Sequence, residues 1–348
     1  MADNKSAELA RRLDGQVMFI PDLGAMMSHW PAGRNPHGAE VQGMVDRLLE
    51  GASEEDKANV AEADPVLLAS CFWPEATRER LQVLTLTVTW LGQLDDCLEN
   101  LESEIFQKAH DFRAKVKRYI ALYLQLSREP LEPATQRAIA DFEPIAKLIC
   151  REYDQDQRRQ FKVSLCEYID STGHEIRCAQ RGEVPLSRLY ETMRKKTAGA
   201  GPLCALAEFA TGMRLPAGVV LSNPYKLMAE AVCVMVGMTN DLLSLGKELR
   251  KGRVLSIVPV MLWNNEHDDL EGVVGHVVDK LKKALRQFEV SETRLIQVYP
   301  SETEHIRQVA AAMKTTCTGN LTWSLASKRY RVGEPLADGS LRLELKAA

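Results

Sequence analysis

Apolar positions recur at three- and four-residue steps along almost the whole chain, and the polar breaks between runs are short. That period belongs to the α-helix, in which residues i, i+3, i+4 and i+7 share a face. Helices are predicted near 38–51, 55–62, 65–71, 74–99, 103–127, 133–146, 151–180, 187–196, 200–212, 217–223, 224–249, 253–265, 268–289, 291–298 and 301–328. The links carry Pro or Gly: Pro74, Pro130 with Pro133, Gly182 to Pro185, Leu215-Pro216 and Lys251-Gly252. No stretch sustains the period-two alternation of a half-buried strand, so no sheet is predicted. Residues 1–15 read as a poorly ordered start, and 17–27, with Pro21 and Gly24, as an extended leader. The expectation is one all-α domain.

Within that pattern the run from Ala229 to Leu249 stands apart. It holds no Pro, and Ala231, Val232, Val234, Met235, Val236, Met238, Leu242, Leu243 and Leu245 make it apolar nearly all round, which marks a buried helix. Asn240, Ser244 and Glu248 nevertheless recur at four-residue steps, which turn about 400° each, so they form one stripe. An amide oxygen, a hydroxyl and a carboxylate are an all-oxygen donor set, the kind Mg²⁺ accepts when water and substrate phosphate complete its octahedron. Lys247 adds a point charge for the same phosphate. A solvated face would show the same spacing, but a polar row in so apolar a helix needs partners.

A second polar interruption ends the apolar run Leu81–Leu94, at Asp95-Asp96-Cys97-Leu98-Glu99. Asp95 and Glu99 lie one turn apart on one face, and Asp96 points about 100° away. Adjacent carboxylates on a buried helix need a cation or protons; if the helix surfaces there, water suffices. With the Asn240 stripe elsewhere in the chain, two Mg²⁺-type sites are the better account. Donors for a phosphate group are available too. Arg194 precedes the break Thr197-Ala198-Gly199-Ala200-Gly201, and Arg329-Tyr330 close the last helix after Trp323-Ser324.

Composition narrows the class. With 44 Lys and Arg against 48 Asp and Glu, net charge −4 and no basic block, nothing marks a nucleic-acid binder. No uninterrupted apolar run reaches about 18 residues, so no stable membrane insertion is expected. The eight Cys are scattered without a CxxC pair, as reduced thiols in a cytoplasmic protein would be.

Taken in order, these motifs resemble the class I terpene synthases (terpene cyclases) of microbial type. Asp95 to Glu99 matches the family's Asp-Asp-x-x-Asp/Glu motif, with Glu in the last place. Asn240, Asp241, Ser244 and Glu248 match the Asn-Asp-x-x-Ser-x-x-x-Glu motif in full, Lys247 included. Arg194, Thr197 and Gly199 match Arg-x-x-Thr-x-Gly, about 46 residues upstream of the second metal motif, by analogy with the family's spacing. Trp323, Ser324, Arg329 and Tyr330 match the family's ending, and Arg34-Asn35-Pro36 and Glu175…Pro185…Tyr190 are weaker echoes. Gln93 and Leu94 stand where many relatives have aromatics.

The resemblance covers residues 30–332, leaving a partly disordered leader at 1–29 and a tail at 333–348. It implies a single-domain helical bundle around a deep apolar cavity, with metal sites facing each other across the mouth. It also implies three Mg²⁺ ions: Asp95 on two, Asn240, Ser244 and Glu248 on the third, with Glu99 less secure. Arg194, Lys247, Arg329 and Tyr330 would grip a prenyl diphosphate, with Asp96, Asp241, Ala198 and Gly199 near it. Phe72, Trp73, Trp90, Phe209 and Trp323 are the ring faces for a carbocation in a chain only 6% aromatic. The substrate implied first is farnesyl diphosphate, with geranyl and geranylgeranyl diphosphate as alternatives; a homodimer is compatible. A chain-elongating prenyl transferase would carry two Asp-rich motifs, which this chain lacks. A non-catalytic helical interaction protein would have no use for the intact metal and diphosphate sets.

Overall fold

The computed structural model describes residues 5–51, 53–104 and 106–347; the side chains of 48, 55, 56, 99–104, 106, 107 and 179 lie outside the description. Helices dominate it: α1 (Lys5–Leu13), α2 (Pro65–Phe72), α3 (Arg78–Glu104), α4 (Phe106–Tyr123), α5 (Gln155–Gln180), α6 (Ser187–Thr197), α7 (Ala200–Ala205), α8 (Asn223–Arg250), α9 (Ile257–Trp263), α10 (Leu270–Val298) and α11 (Thr303–Ala326), with further helices between them.

Two apolar cores result. One gathers α8, α9, α10 and α11, where Val232, Met235, Leu242, Val258, Leu281, Phe288 and Met313 are fully buried or nearly so. The other gathers α2, α3, α4 and α5, through Leu84, Leu94, Ile120, Phe161 and Leu165. Helix α8 is the axis of the first. It starts at Ser222, whose hydroxyl accepts from the Tyr225 N–H, with Pro224 in its first turn. It is long and apolar enough to cross a membrane, but 72% of its most apolar window is buried inside the bundle.

Between the cores runs α6, packed on α5 on one side and on α8 and α9 on the other. The segment after it serves both: Ala200, Cys204 and Ala207 join the first core, Leu203, Leu206 and Phe209 the second.

Three departures from the sequence pattern have local causes. The predicted helices 268–289 and 291–298 are one helix, α10, because Glu289-Val290-Ser291 contains no breaker. The predicted helix 133–146 becomes two short ones, 137–140 and 142–152. The ends, expected as a partly disordered leader and a separate tail, meet in a sheet: Val17–Ile20 (β1) pairs antiparallel with Leu341–Glu344 (β2), Val17 opposite Glu344. Leu9, Leu13, Met18 and Ile20 are buried with the first core, so burial of apolar surface holds this corner.

Candidate active site between α3, α6 and α8

Arg194 leaves the last turn of α6 and lies against α8, because α8 has no side chain at Gly237. A Cβ there would come 3.3 Å from Ala198 Cβ and 3.4 Å from Arg194 Cγ. The guanidinium then spans two adjacent residues of α8. Its Nε donates to Asp241 Oδ1 at 2.7 Å, and an Nη donates to Asn240 Oδ1 at 2.5 Å. Arg194 is 12% exposed and Asp241 3%. Burial works hardest against the guanidinium's charge, but Asp241, Tyr190 and Glu175 together outweigh it and hold Arg194 above its ordinary pKa.

Asp241, expected beside substrate, turns away from Asn240. The residue faces the interior, where both oxygens are occupied. Oδ2 accepts from the Tyr190 hydroxyl at 2.7 Å and from the Ile257 N–H at 3.0 Å, while the Ser256 hydroxyl donates to its carbonyl. One step of about 100° around the helix separates it from Asn240 and turns it inward. Burial, with the Asp241 charge second, raises Tyr190 well above the ordinary phenol range, so it stays a neutral donor.

Asn240 looks outward and is held from both ends. Its amide nitrogen donates to the Tyr330 hydroxyl at 2.6 Å, which presents Oδ1 to Arg194. Tyr330 is buried, edge-on to Trp323 at 5.3 Å, and Trp323 donates its indole N–H to the Ala63 carbonyl at 2.7 Å. Lys247 Nζ lies 6.0 Å from the centre of the Tyr330 ring and 3.1 Å from Glu248 Oε1. Burial pulls the lysine below its ordinary pKa, and Arg329 adds to this. Burial would push Glu248 up, yet Lys247 and then Arg253 bring it below the usual carboxylate value. Ser244 is buried on the same stripe.

Across α6, Asp95 of α3 is half-buried and accepts the Tyr168 hydroxyl of α5 at 2.8 Å. Asp96 is exposed; Glu99 lies within α3 with its side chain outside the described residues. Gly199 opens α7 in the left-handed region at φ 73°, where its missing side chain lets the chain turn beside Tyr168. The expected aromatics Phe72, Trp73, Trp90 and Phe209 all belong to the second core. Trp90, expected around the substrate, stacks on Phe142 at 4.4 Å and donates to the Ala138 carbonyl. Phe72 meets Trp73 edge-on, and Phe209 meets Tyr153.

The donor set fits Mg²⁺ in its chemistry. Asn240, Ser244 and Glu248 supply neutral and anionic oxygens on one stripe, with Asp95 as a further carboxylate. Among the described residues no three His, Cys, Asp or Glu side chains gather to hold a metal ion. Sequence reading missed Tyr168 and Gly237 because each acts on a distant segment. A phenol within the apolar stripe Phe161-Leu165-Tyr168-Thr172 was the available signal, since a buried Tyr usually needs a partner.

Residues 86–287 match the family described as terpene synthase family 2, C-terminal metal binding. The chain is 24% identical over 357 residues to the sesquiterpene cyclase hepA of Aspergillus oryzae, covering 98% of this chain and 96% of that one. It is 25% identical over 312 residues to the (−)-delta-cadinene synthase of Streptomyces clavuligerus, covering 86% and 92%. Among solved structures it resembles the linalool/nerolidol synthase of Streptomyces clavuligerus in complex with 2-fluorogeranyl diphosphate (TM-score 0.74, 18% identity, 86% and 98% covered). It also resembles the germacradien-4-ol synthase of Streptomyces citricolor (TM-score 0.71, 16% identity, 85% and 96% covered).

Proposed function

The chain belongs to terpene synthase family 2, enzymes of the lyase type, and on that premise we propose that it ionises and cyclises farnesyl diphosphate with Mg²⁺, releasing diphosphate. The relative named above as a sesquiterpene cyclase favours the C15 substrate over geranyl and geranylgeranyl diphosphate. The observation that carries the reading is the assembly in which Arg194, Asn240, Tyr330 and Lys247 converge at one end of α8.

In this reading Asn240, Ser244 and Glu248 would hold one Mg²⁺ and Asp95 would serve two, with Glu99 the less secure ligand beside it. When bound, the metal supplies positive charge at the diphosphate oxygens as they leave. Arg194 sits on the Asn240 amide oxygen at 2.5 Å and passes its N–H groups to phosphate when a diphosphate arrives. Asp241 keeps the guanidinium charged and aimed throughout. Lys247, Arg329 and the Tyr330 hydroxyl complete the grip on the leaving group, as fixed donors placed where anionic charge develops. Phe72, Trp73, Phe209 and Trp323 offer ring faces to the cation, away from water. The eight free thiols suit a reducing, cytoplasmic setting.

Alanine substitution at Asn240, Ser244 and Glu248 tests the assignment. Each should lose most turnover while circular dichroism shows the helical content intact. Near-normal turnover of Glu248→Ala at low Mg²⁺ would show the metal assignment to be wrong.

A further inference from the structure

Helix α5 buries Phe161, Leu165, Tyr168, Ile169 and Thr172 at helical spacing against the second core. Tyr168 is the one phenol in that stripe, and it is 6% exposed. Its hydroxyl reaches across to α3 and donates to Asp95 Oδ1 at 2.8 Å. A carboxylate's terminal torsion is broad and two-fold. A fixed donor on one oxygen therefore sets the plane of the group and the direction in which the other oxygen points. The same residue also borders the break after α6. Its ring carbon Cε2 lies 4.0 Å from where a Gly199 Cβ would stand, and Gly199 is the left-handed turn between the Arg194 helix and α7.

We propose that Tyr168 is a positioning residue whose hydroxyl orients Asp95 toward metal. The proposal rests on the reading that Asp95 is a metal ligand. Hydrogen-bond partners behind a metal ligand typically change metal affinity by about 10–100-fold when removed. The geometry here is of that kind, with the phenol behind the carboxylate and a rigid helix behind the phenol.

Tyr168→Phe keeps the ring and removes only the hydroxyl. The stripe already holds Phe161, so the helix tolerates a phenyl; circular dichroism confirms the fold. Mn²⁺ affinity, measured by electron paramagnetic resonance with inorganic diphosphate present, should fall by about tenfold. The Mg²⁺ concentration for half-maximal turnover should rise by a similar factor, with kcat at saturating Mg²⁺ within about threefold of wild type. In an Asp95→Asn background the same change should cost no further Mn²⁺ affinity, since the hydroxyl acts through that carboxylate. Unchanged affinity in Tyr168→Phe, or an undiminished loss in the Asp95→Asn background, overturns the role of Tyr168. A wild-type protein that binds no Mn²⁺ with diphosphate and releases none from a prenyl diphosphate overturns the proposed function instead.

Discussion

On the α8 side, Asn240 and Asp241 are tied to Arg194, Tyr190 and Tyr330 by contacts of 2.5–2.7 Å, in a region where Asp241 is 3% exposed. On the α3 side, a half-buried Asp95 takes the Tyr168 hydroxyl at 2.8 Å, and Asp96 beside it faces solvent. The contrast separates two ways of building a charged site. The α8 side is a buried polar network whose members hold one another's charge, so under the proposed function it would serve stability and chemistry together. The α3 side presents a half-buried carboxylate supported from behind, and under the same proposal would serve chemistry with less structural weight.

Breaking the α8 network should therefore cost most. Asp241→Ala leaves the Arg194 guanidinium buried without its counter-ion, a loss of about 3–5 kcal/mol by analogy with other buried pairs. Urea denaturation should show that loss along with lost turnover; a change within about 0.5 kcal/mol, usual for surface sites, would mean the pair is not a structural hinge of the site. Arg194→Lys keeps a charge near Asp241 but loses the two-pronged geometry. It should slow single-turnover release of diphosphate by tenfold or more, each tenfold being about 1.4 kcal/mol of transition-state stabilisation. A wild-type rate would rule out contact with the leaving group.

At the α3 side the two readouts should part. Asp95→Ala should abolish most turnover yet shift stability by about 1–3 kcal/mol, the cost of leaving the Tyr168 hydroxyl without this partner and less than the loss from Asp241→Ala. Glu99→Ala should cost less turnover than Asp95→Ala; equal losses would make Glu99 a full ligand. The smallest effect is a pH dependence at the end of α8. Glu248 lies below its ordinary pKa of 4.5 in the fold, so ionised Glu248 adds stability above that value and loses it as pH falls through the depressed one. The stability gap between wild type and Glu248→Gln should thus be constant near neutrality and close in acid below pH 4.5. A gap that widens in acid would contradict the pairing with Lys247.

What could be read from the sequence divides along the same line. The α8 stripe was legible because its residues share one helix, where four-residue spacing alone places Asn240, Ser244 and Glu248 together. The long helices were legible for the same reason. The inward turn of Asp241 was not, since its partners Tyr190 and Ile257 come from other helices. Gly237 carries no signal in the sequence alone, and in the fold it is the gap that admits Arg194. The pairing of β1 with β2 was hidden by distance along the chain. Its local trace, Leu341, Leu343 and Leu345 alternating with polar residues, is too short to separate from a loop.

Everything above turns on whether this site ionises a prenyl diphosphate. The most direct measurement supplies the purified protein with geranyl, farnesyl and geranylgeranyl diphosphate in turn, with and without Mg²⁺, and follows diphosphate release together with the hydrocarbon products. Mg²⁺-dependent release that is fastest from farnesyl diphosphate, with a cyclic C15 product, is the expected result. Release from none of the three, or release that proceeds equally without a divalent ion, would contradict it.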